Sequence, residues 1–238
     1  MKRLAITTLL GCISPVLWAQ TPALQAQAHD VTQKQELICI HEDQQKTCSR
    51  YTVRGLHTNW PWLNQLIRKQ AEAEQPVFTA KRLPVPAGFD ADKDWEMQRE
   101  YEIEYTGMYR DWVGVSYTGW DYGNGAAHGN PYASHSVYDV KTQQAVNFTD
   151  MVVPAKKAAL EQMLQQRFGA WLTERYGDEG ELTEKVKLTD DVSFNDKGVV
   201  FHYGVYALGP YAMGAPDLAL TWKQVLPALK PQWQQRFK

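Results

Sequence analysis

Apolar and polar positions change period several times along the chain, and each change marks an element. Around Tyr101, Ile103 and Tyr105 the apolar residues alternate with Glu100, Glu102 and Glu104. That is the period of a strand with one buried and one solvated face. Val113, Val115 and Tyr117 repeat the alternation after Tyr109-Arg110-Asp111-Trp112, which reads as a turn. Ser134 to Val140 reads as a further strand, ended by Lys141-Thr142-Gln143-Gln144. Helical spacing governs two other stretches. Trp62, Leu63, Leu66 and Ile67 form a stripe behind Thr58-Asn59 and Pro61, which are helix-start residues. Leu160, Met163, Leu164, Phe168, Trp171 and Leu172 form a longer stripe between Pro154 and Gly177. Asn195-Asp196-Lys197-Gly198 predicts a hairpin turn between Val192–Phe194 and Val199–Tyr203. A strand at Leu218–Leu220 and a short helix from Trp222 to Leu229 close the chain. No repeat is visible, and strands do not alternate regularly with helices. The pattern predicts an α+β fold, an antiparallel β-sheet with helices packed on one face.

The chain opens with Met-Lys-Arg and an uncharged apolar run from Leu4 to Leu17. This run is too short to span a bilayer and fits the core of a secretory signal peptide ending at Ala19. Leu9-Leu10-Gly11-Cys12 resembles a lipobox, which would place a lipid anchor at Cys12; a soluble exported form is preferred. The expected location is periplasmic or secreted, with no transmembrane segment once the signal is removed. Gln20 to Asp30, Gln/Ala-rich with a Pro, reads as an arm that is either ordered late or flexible. The chain then divides into a signal peptide (1–19), a hairpin-plus-helix module (20–85) and a larger C-terminal domain (86–238), with Leu83-Pro84-Val85-Pro86-Ala87-Gly88 at the boundary.

Cleavage at Ala19 leaves two of the three cysteines, Cys39 and Cys48. They flank a polar stretch that reads as a hairpin tip between strands at Glu36–Ile40 and Arg50–Val53. A disulfide there fits an oxidising compartment; two buried thiols, or a metal pair with His41 and His57, are the alternatives. The spacing matches no zinc pattern.

Charge removes one class of partner. The chain carries a formal net charge of −2, and loss of Lys2 and Arg3 with the leader makes it more acidic. Nucleic-acid binding depends on Lys and Arg neutralising phosphates and is not expected. Candidate chemistry is sparse. Glu102 and Glu104 sit two apart on one strand face, which a solvated surface explains without catalysis. His128 and His135 lack companions at a metal-ligand spacing. No Gly-x-Ser-x-Gly elbow exists, so serine nucleophile chemistry has no motif to support it. The Gly-rich loop at Gly123 is followed by neither Lys nor a helix start, and so is no phosphate loop. No catalytic residue, no metal and no cofactor is expected. What stands out is aromatic content, with 9 Trp, 12 Tyr and 7 Phe. Trp120 and Tyr122 border the irregular loop Gly123–Pro131, and are either core rings or exposed surfaces for a sugar or a protein.

Gly125-Ala126-Ala127-His128-Gly129-Asn130 resembles a loop signature of the RsiV-like extracytoplasmic domain family. Tyr206-Ala207-Leu208-Gly209-Pro210-Tyr211-Ala212-Met213-Gly214 resembles its second signature, a Pro-Tyr-Ala-x-Gly loop. Arg50-Tyr51, Gly55-Leu56 and Leu63-Asn64-Gln65-Leu66-Ile67 are similar to its companion N-terminal module. Such domains occur in anti-sigma factors and beside a peptidoglycan deacetylase domain. The resemblance implies no catalytic residues, and it implies binding of a lysozyme-type cell-wall hydrolase through irregular loops. No sigma-binding region or deacetylase domain accompanies the domain here, so stand-alone binding is the expectation. The alternative is a peptidoglycan-binding module of the cell envelope. The expected contact residues are Trp120, Tyr122, Gly125, His128, Asn130, Pro131, Gly209, Pro210 and Tyr211.

The cysteine reading is directly testable. Mass spectrometry of the non-reduced exported protein should find Cys39 and Cys48 joined, and reduction should cost about 2–3 kcal/mol of stability. Two free thiols would overturn the pairing.

Overall fold

A computed structural model of the chain describes residues 22–177 and 184–237. The signal-peptide reading, including Ala19 and Cys12, lies outside these residues. The elements are β1 (Ala26–Asp30), β2 (Glu36–Glu42), β3 (Gln45–Thr58), α1 (Pro61–Glu74), β4 (Met97–Tyr109), β5 (Trp112–Gly123), β6 (Asn130–Asp139) and β7 (Gln144–Ala145). They continue as α2 (Phe148–Met151), α3 (Lys157–Tyr176), β8 (Val192–Asn195), β9 (Gly198–His202), β10 (Asp217–Thr221), α4 (Trp222–Val225) and α5 (Pro231–Arg236). The fold is α+β, with two antiparallel-rich sheets.

The larger sheet has seven strands in the path β1-β3-β4-β5-β6-β7, with β2 also on β3. β1 and β2 lie end to end along one edge of β3. Thr32 bridges the break between them, its Oγ1 accepting the Val53 amide at 2.8 Å. Part of the expected arm is therefore a paired strand, because Ala26–Asp30 finds the free edge of β3 opposite Arg54–Thr58. Gln/Ala-rich composition carries no period to announce this. β3 and β4 run parallel, Ser49–Arg54 beside Met97–Glu102. A parallel pair needs a long crossover, and α1 rides in it. The boundary proposed near Gly88 falls in this crossover, and strands from both sides share the sheet.

α1 covers one face of this sheet, burying Leu63, Ile67 and Ala71 against Tyr101, Ile103, Val113, Val115 and Tyr117. These are the apolar members of the alternating runs except Tyr105, which is 39% exposed because the β4 register shifts beside it. Cys39 and Cys48 are direct cross-strand partners, joined at 2.03 Å, and almost fully buried. The smaller sheet has the order β10-β9-β8. Its Val199, Phe201, Leu218 and Leu220 pack on Leu160, Leu164 and Phe168 of α3. Gly177 ends α3 at φ 79°, a left-handed cap that a residue without Cβ adopts freely. The expected closing helix stops at Val225 as α4, and Pro231 opens α5, which periodicity did not separate.

The second core also takes Trp112 and Val137 from the larger sheet, which joins the two layers. Asp139, 2% exposed, fastens that joint. It accepts hydrogen bonds from the Trp112 indole at 3.1 Å, from the Lys141 and Thr142 amides at 2.8 and 3.2 Å, and from Arg236 of α5. Burial alone would raise the Asp139 pKa, but the Arg236, Trp112 and backbone donors outweigh it and hold the carboxyl below its usual value.

A carboxyl with a lowered folded pKa stabilises the fold above its unfolded pKa, about 4, and loses that contribution as pH falls through the folded value. Melting temperature measured against pH should drop in that acidic window. Asp139→Asn should flatten the drop and cost about 3 kcal/mol at neutral pH. That is the low end for a broken buried pair, because Arg236 is 23% exposed and keeps Asp111 at 3.7 Å. An Asn variant as stable as the native protein would remove this joint from the account.

Candidate binding surface and a polar cluster

Strand alternation sends the even-numbered residues of β4 and β5 to the face opposite α1. Glu100 lies across from Trp120 and Glu102 from Thr118. Arg54 of β3 pairs with Glu102 at 3.2 Å and with Asp30 at 3.6 Å. Thr52, Arg54, Glu100, Glu102, Thr118 and Trp120 line an open groove of about 340 Å³. Of the carboxylates read from the sequence as solvated, Glu100 and Glu102 form its polar wall, with Arg54 as a partner of Glu102, while Glu104 is exposed outside it.

An aromatic row borders the groove. Trp120 and Tyr122, two apart on β5, stand with ring planes 3° apart and centroids 5.6 Å apart. Trp95 continues the row, 6.2 Å from Tyr122, under the Arg50 guanidinium at 5.2 Å. Both Trp120 and Tyr122 are half-buried, so each is neither a core ring nor a fully open one. At the other end of the row Trp120 lies flat against Gly129. A Cβ on that glycine would sit 2.1 Å from the indole ring, so only glycine admits this approach.

Gly129 also ties the two irregular loops together. Its carbonyl accepts from the Tyr211 hydroxyl at 3.0 Å and lies 2.9 Å from His128 Nδ1. The Tyr211 and His128 rings stack at 4.1 Å. Tyr206, 58% exposed and held at φ 70°, leans on Tyr211 at 5.7 Å. Trp120, Tyr122, His128 and Tyr211 therefore meet on one surface. Asn130 is exposed and opens β6 opposite Asp121, beside Pro131, which faces Trp120. Gly125 turns the loop at φ 85° with no side chain near it. Gly209 is held closed by the Met213 side chain, which leaves Pro210 at the surface to lead into Tyr211. Sequence reasoning did not single out Trp95, and it quoted Tyr206 only within the loop signature; the contact of Trp95 with Tyr122 and of Tyr206 with Tyr211 depends on tertiary approach.

A second cluster has no motif in the sequence. His202 of β9 faces Asp217 of β10 directly, with Nδ1 2.7 Å from Oδ1. Its Nε2 lies 3.0 Å from the Ser193 hydroxyl of β8. The His135 ring of β6 stacks on the His202 ring at 3.7 Å, and Asp191 holds His135 through both Nδ1 and the backbone amide, at 2.8 Å each. The hydrogen bond from His202 holds Asp217 below the usual carboxylate range, against a smaller effect of burial. Three residues from three strands, spread over 25 positions of chain, carry no local spacing to read. Among the described residues no group of three or more His, Cys, Asp or Glu is arranged to hold a metal ion, and no helix is long and apolar enough to cross a membrane.

Comparison with curated proteins finds no match. Among solved structures, a DUF3298 family protein from Pseudomonas aeruginosa PAO1 is similar with a TM-score of 0.64 and 18% identity, over 88% of this chain and 96% of that one. A DUF3298 member from Bacteroides fragilis NCTC 9343 is similar with a TM-score of 0.63 and 15% identity, over 91% of this chain and 98% of that one. At such identity the likeness is one of fold. Residues 148–223, from α2 into α4, match the family described as a protein of unknown function, DUF3298, so that the segment with the Pro-Tyr loop and the second core carries this family's sequence pattern.

Proposed function

We propose that this protein is an exported binding protein of the cell envelope, whose partner is a lysozyme-type wall hydrolase met by the Gly123–Pro131 and Gly209–Gly214 loops. The observation that carries the reading is the clasp at Gly129. One carbonyl gathers the Tyr211 hydroxyl and the His128 ring, so two loops far apart in sequence present a single surface. The RsiV-like resemblance supports the choice of partner. The disulfide supports an oxidising location, periplasmic or secreted.

The surface has the make-up of a protein contact. Tyr206 and Tyr211 offer rigid rings with polar tips, the type that dominates hot spots. Glu100 and Glu102 add negative charge in the groove beside Trp120, which favours a basic enzyme and makes binding salt-sensitive. A second reading, peptidoglycan binding, draws on the groove itself, where the Trp120 ring stands beside two carboxylates and a guanidinium able to hydrogen-bond sugar hydroxyls. The protein reading is preferred because the Trp120 and Tyr122 rings face each other, and Gly129 covers Trp120, leaving little open ring face for a sugar.

Parallel pull-downs separate the two, one with a lysozyme and one with insoluble purified peptidoglycan. The expected result is retention on lysozyme that weakens with salt. Tyr211→Ala should lose more than about 2 kcal/mol of affinity, the hot-spot range, while the melting temperature moves by only a few degrees. Tyr211→Phe, which keeps the stacked ring, should fall between. Retention on peptidoglycan alone would favour the second reading, and no retention on either would remove the proposal.

The clasp itself can be probed through its glycine. Gly129→Ala forces the Trp120 ring away, at a cost of about 1–3 kcal/mol for an overpacked contact. Indole fluorescence should shift and lysozyme binding should weaken together. A variant with native fluorescence and native binding would show that the close approach is dispensable.

A further inference from the structure

At the other end of the same sheet face, away from the aromatic row, a cavity of about 280 Å³ opens between the two sheets. Tyr109, Trp112, Val137 and Phe194 give it apolar walls, and Ser193 and His202 reach it from the smaller sheet. We propose that Ser193, His202 and Asp217 are nucleophile, base and orienting acid of an ester-hydrolysing site that takes a short-chain carboxylic ester into this cavity.

The sheet order makes the alignment. β10, β9 and β8 are neighbours, so Asp217, His202 and Ser193 follow one another across the strands on one face. Asp217 receives the Nδ1 proton of His202 at 2.7 Å, which leaves the Nε2 lone pair facing the Ser193 hydroxyl at 3.0 Å. That is the tautomer a general base needs. His135, stacked on His202 and held by Asp191, fixes the plane of the ring. Both Asp217 and His135 act as positioning residues.

The bulge of β4 also lines the cavity. The β4–β5 register shifts between Tyr105 and Gly107, so Thr106 has no partner across the ladder. Bulges leave a residue unpaired and recur beside active sites. Here Thr106 and Gly107 line the same cavity as Ser193, and an acyl oxygen gathering negative charge there would need such donors. The Thr106 hydroxyl is held on this face by Gly114, whose missing side chain makes room for it.

The chemistry balances with water as the only co-reactant. Ser193 Oγ bonds to the ester carbonyl carbon as its proton passes to His202 Nε2. The tetrahedral adduct collapses, the ester C–O bond breaks, and the leaving alcohol takes the proton from His202. Water, deprotonated by His202, then attacks the acyl-serine carbonyl; the bond from the acyl carbon to Ser193 Oγ breaks, the acid leaves, and Oγ takes the proton back from His202. None of these residues belongs to the Tyr211 surface, so the hydrolytic and binding proposals stand or fall separately.

The test is covalent labelling of the exported protein with a fluorophosphonate, followed by peptide mapping, and turnover of p-nitrophenyl acetate. A phosphonyl adduct on Ser193 is expected, together with turnover that Ser193→Ala reduces to the uncatalysed rate. Asp217→Asn should lower kcat by about 10²-fold with KM unchanged, since it disturbs the tautomer and not the cavity. The labelling of the native protein decides the matter even where a variant fails to fold. No adduct on Ser193, or turnover undiminished in a folded Ser193→Ala protein, overturns the proposal.

Discussion

One carboxylate has to remain charged in an almost dry place for the two layers to stay joined. Asp139 ends β6, and its oxygens are shared by an indole from β5, two amides of the following turn and a guanidinium from the last helix. The donors come from three pieces of the chain, so the carboxylate determines where those pieces converge. Around it the rings of Trp112, Phe194, Trp233 and Phe237 close the second core, with Trp112 and Phe237 at 5.0 Å. A lone buried charge is costly, and the donors here make it tolerable. The arrangement therefore favours specificity of assembly as much as raw stability, since an alternative packing would strand the charge.

The two proposed sites depend on that joint in different degrees. The aromatic row lies largely on the larger sheet, and Tyr211, with Tyr206 against it, reaches Gly129 beside the row from the second layer. The Ser193 cluster straddles the seam, with His135 on one sheet and His202 on the other. Both occupy the face of β4 to β6 that α1 leaves uncovered. Trp120 and Tyr122 mark one end of this face, and Trp112 and Gly114 the other. The second layer covers only part of it, which leaves a groove on one side and a cavity beneath.

What could be read from the amino-acid order depended on whether the determining contact was local. The alternation of Tyr101 and Ile103 with the glutamates, the Asn195–Gly198 turn and the Gly177 cap are set by neighbours within a few residues and appear where the pattern places them, whereas Tyr105, expected on the buried face, is exposed where the bulge breaks the register. The cysteine pair was legible because a hairpin tip holds both partners. β1 was hidden because its pairing is decided by β3, nearly 30 residues on, and not by its own composition. The parallel β3–β4 pair was hidden for the same reason. Of the expected contact residues, those joined at Gly129 could be named individually, but their meeting depends on an approach of 82 positions along the chain. The Ser193, His202 and Asp217 cluster is the extreme case, since three ordinary strand residues become a constellation only when the strands are laid side by side.

The disulfide has a consequence beyond holding a hairpin shut. Cys39 and Cys48 are opposite each other in the ladder, with Cα atoms 4.0 Å apart. Because side chains alternate between faces, sliding β2 by a single residue would turn Cys39 away from Cys48 and carry Ile38 and Ile40 out of the core. A bond between the sulfurs then cannot form within the hairpin. Oxidation is thus a form of proofreading, closing only on the correctly aligned strands. Once closed, it preserves that alignment for β3, the strand on which β1, β2 and β4 all build.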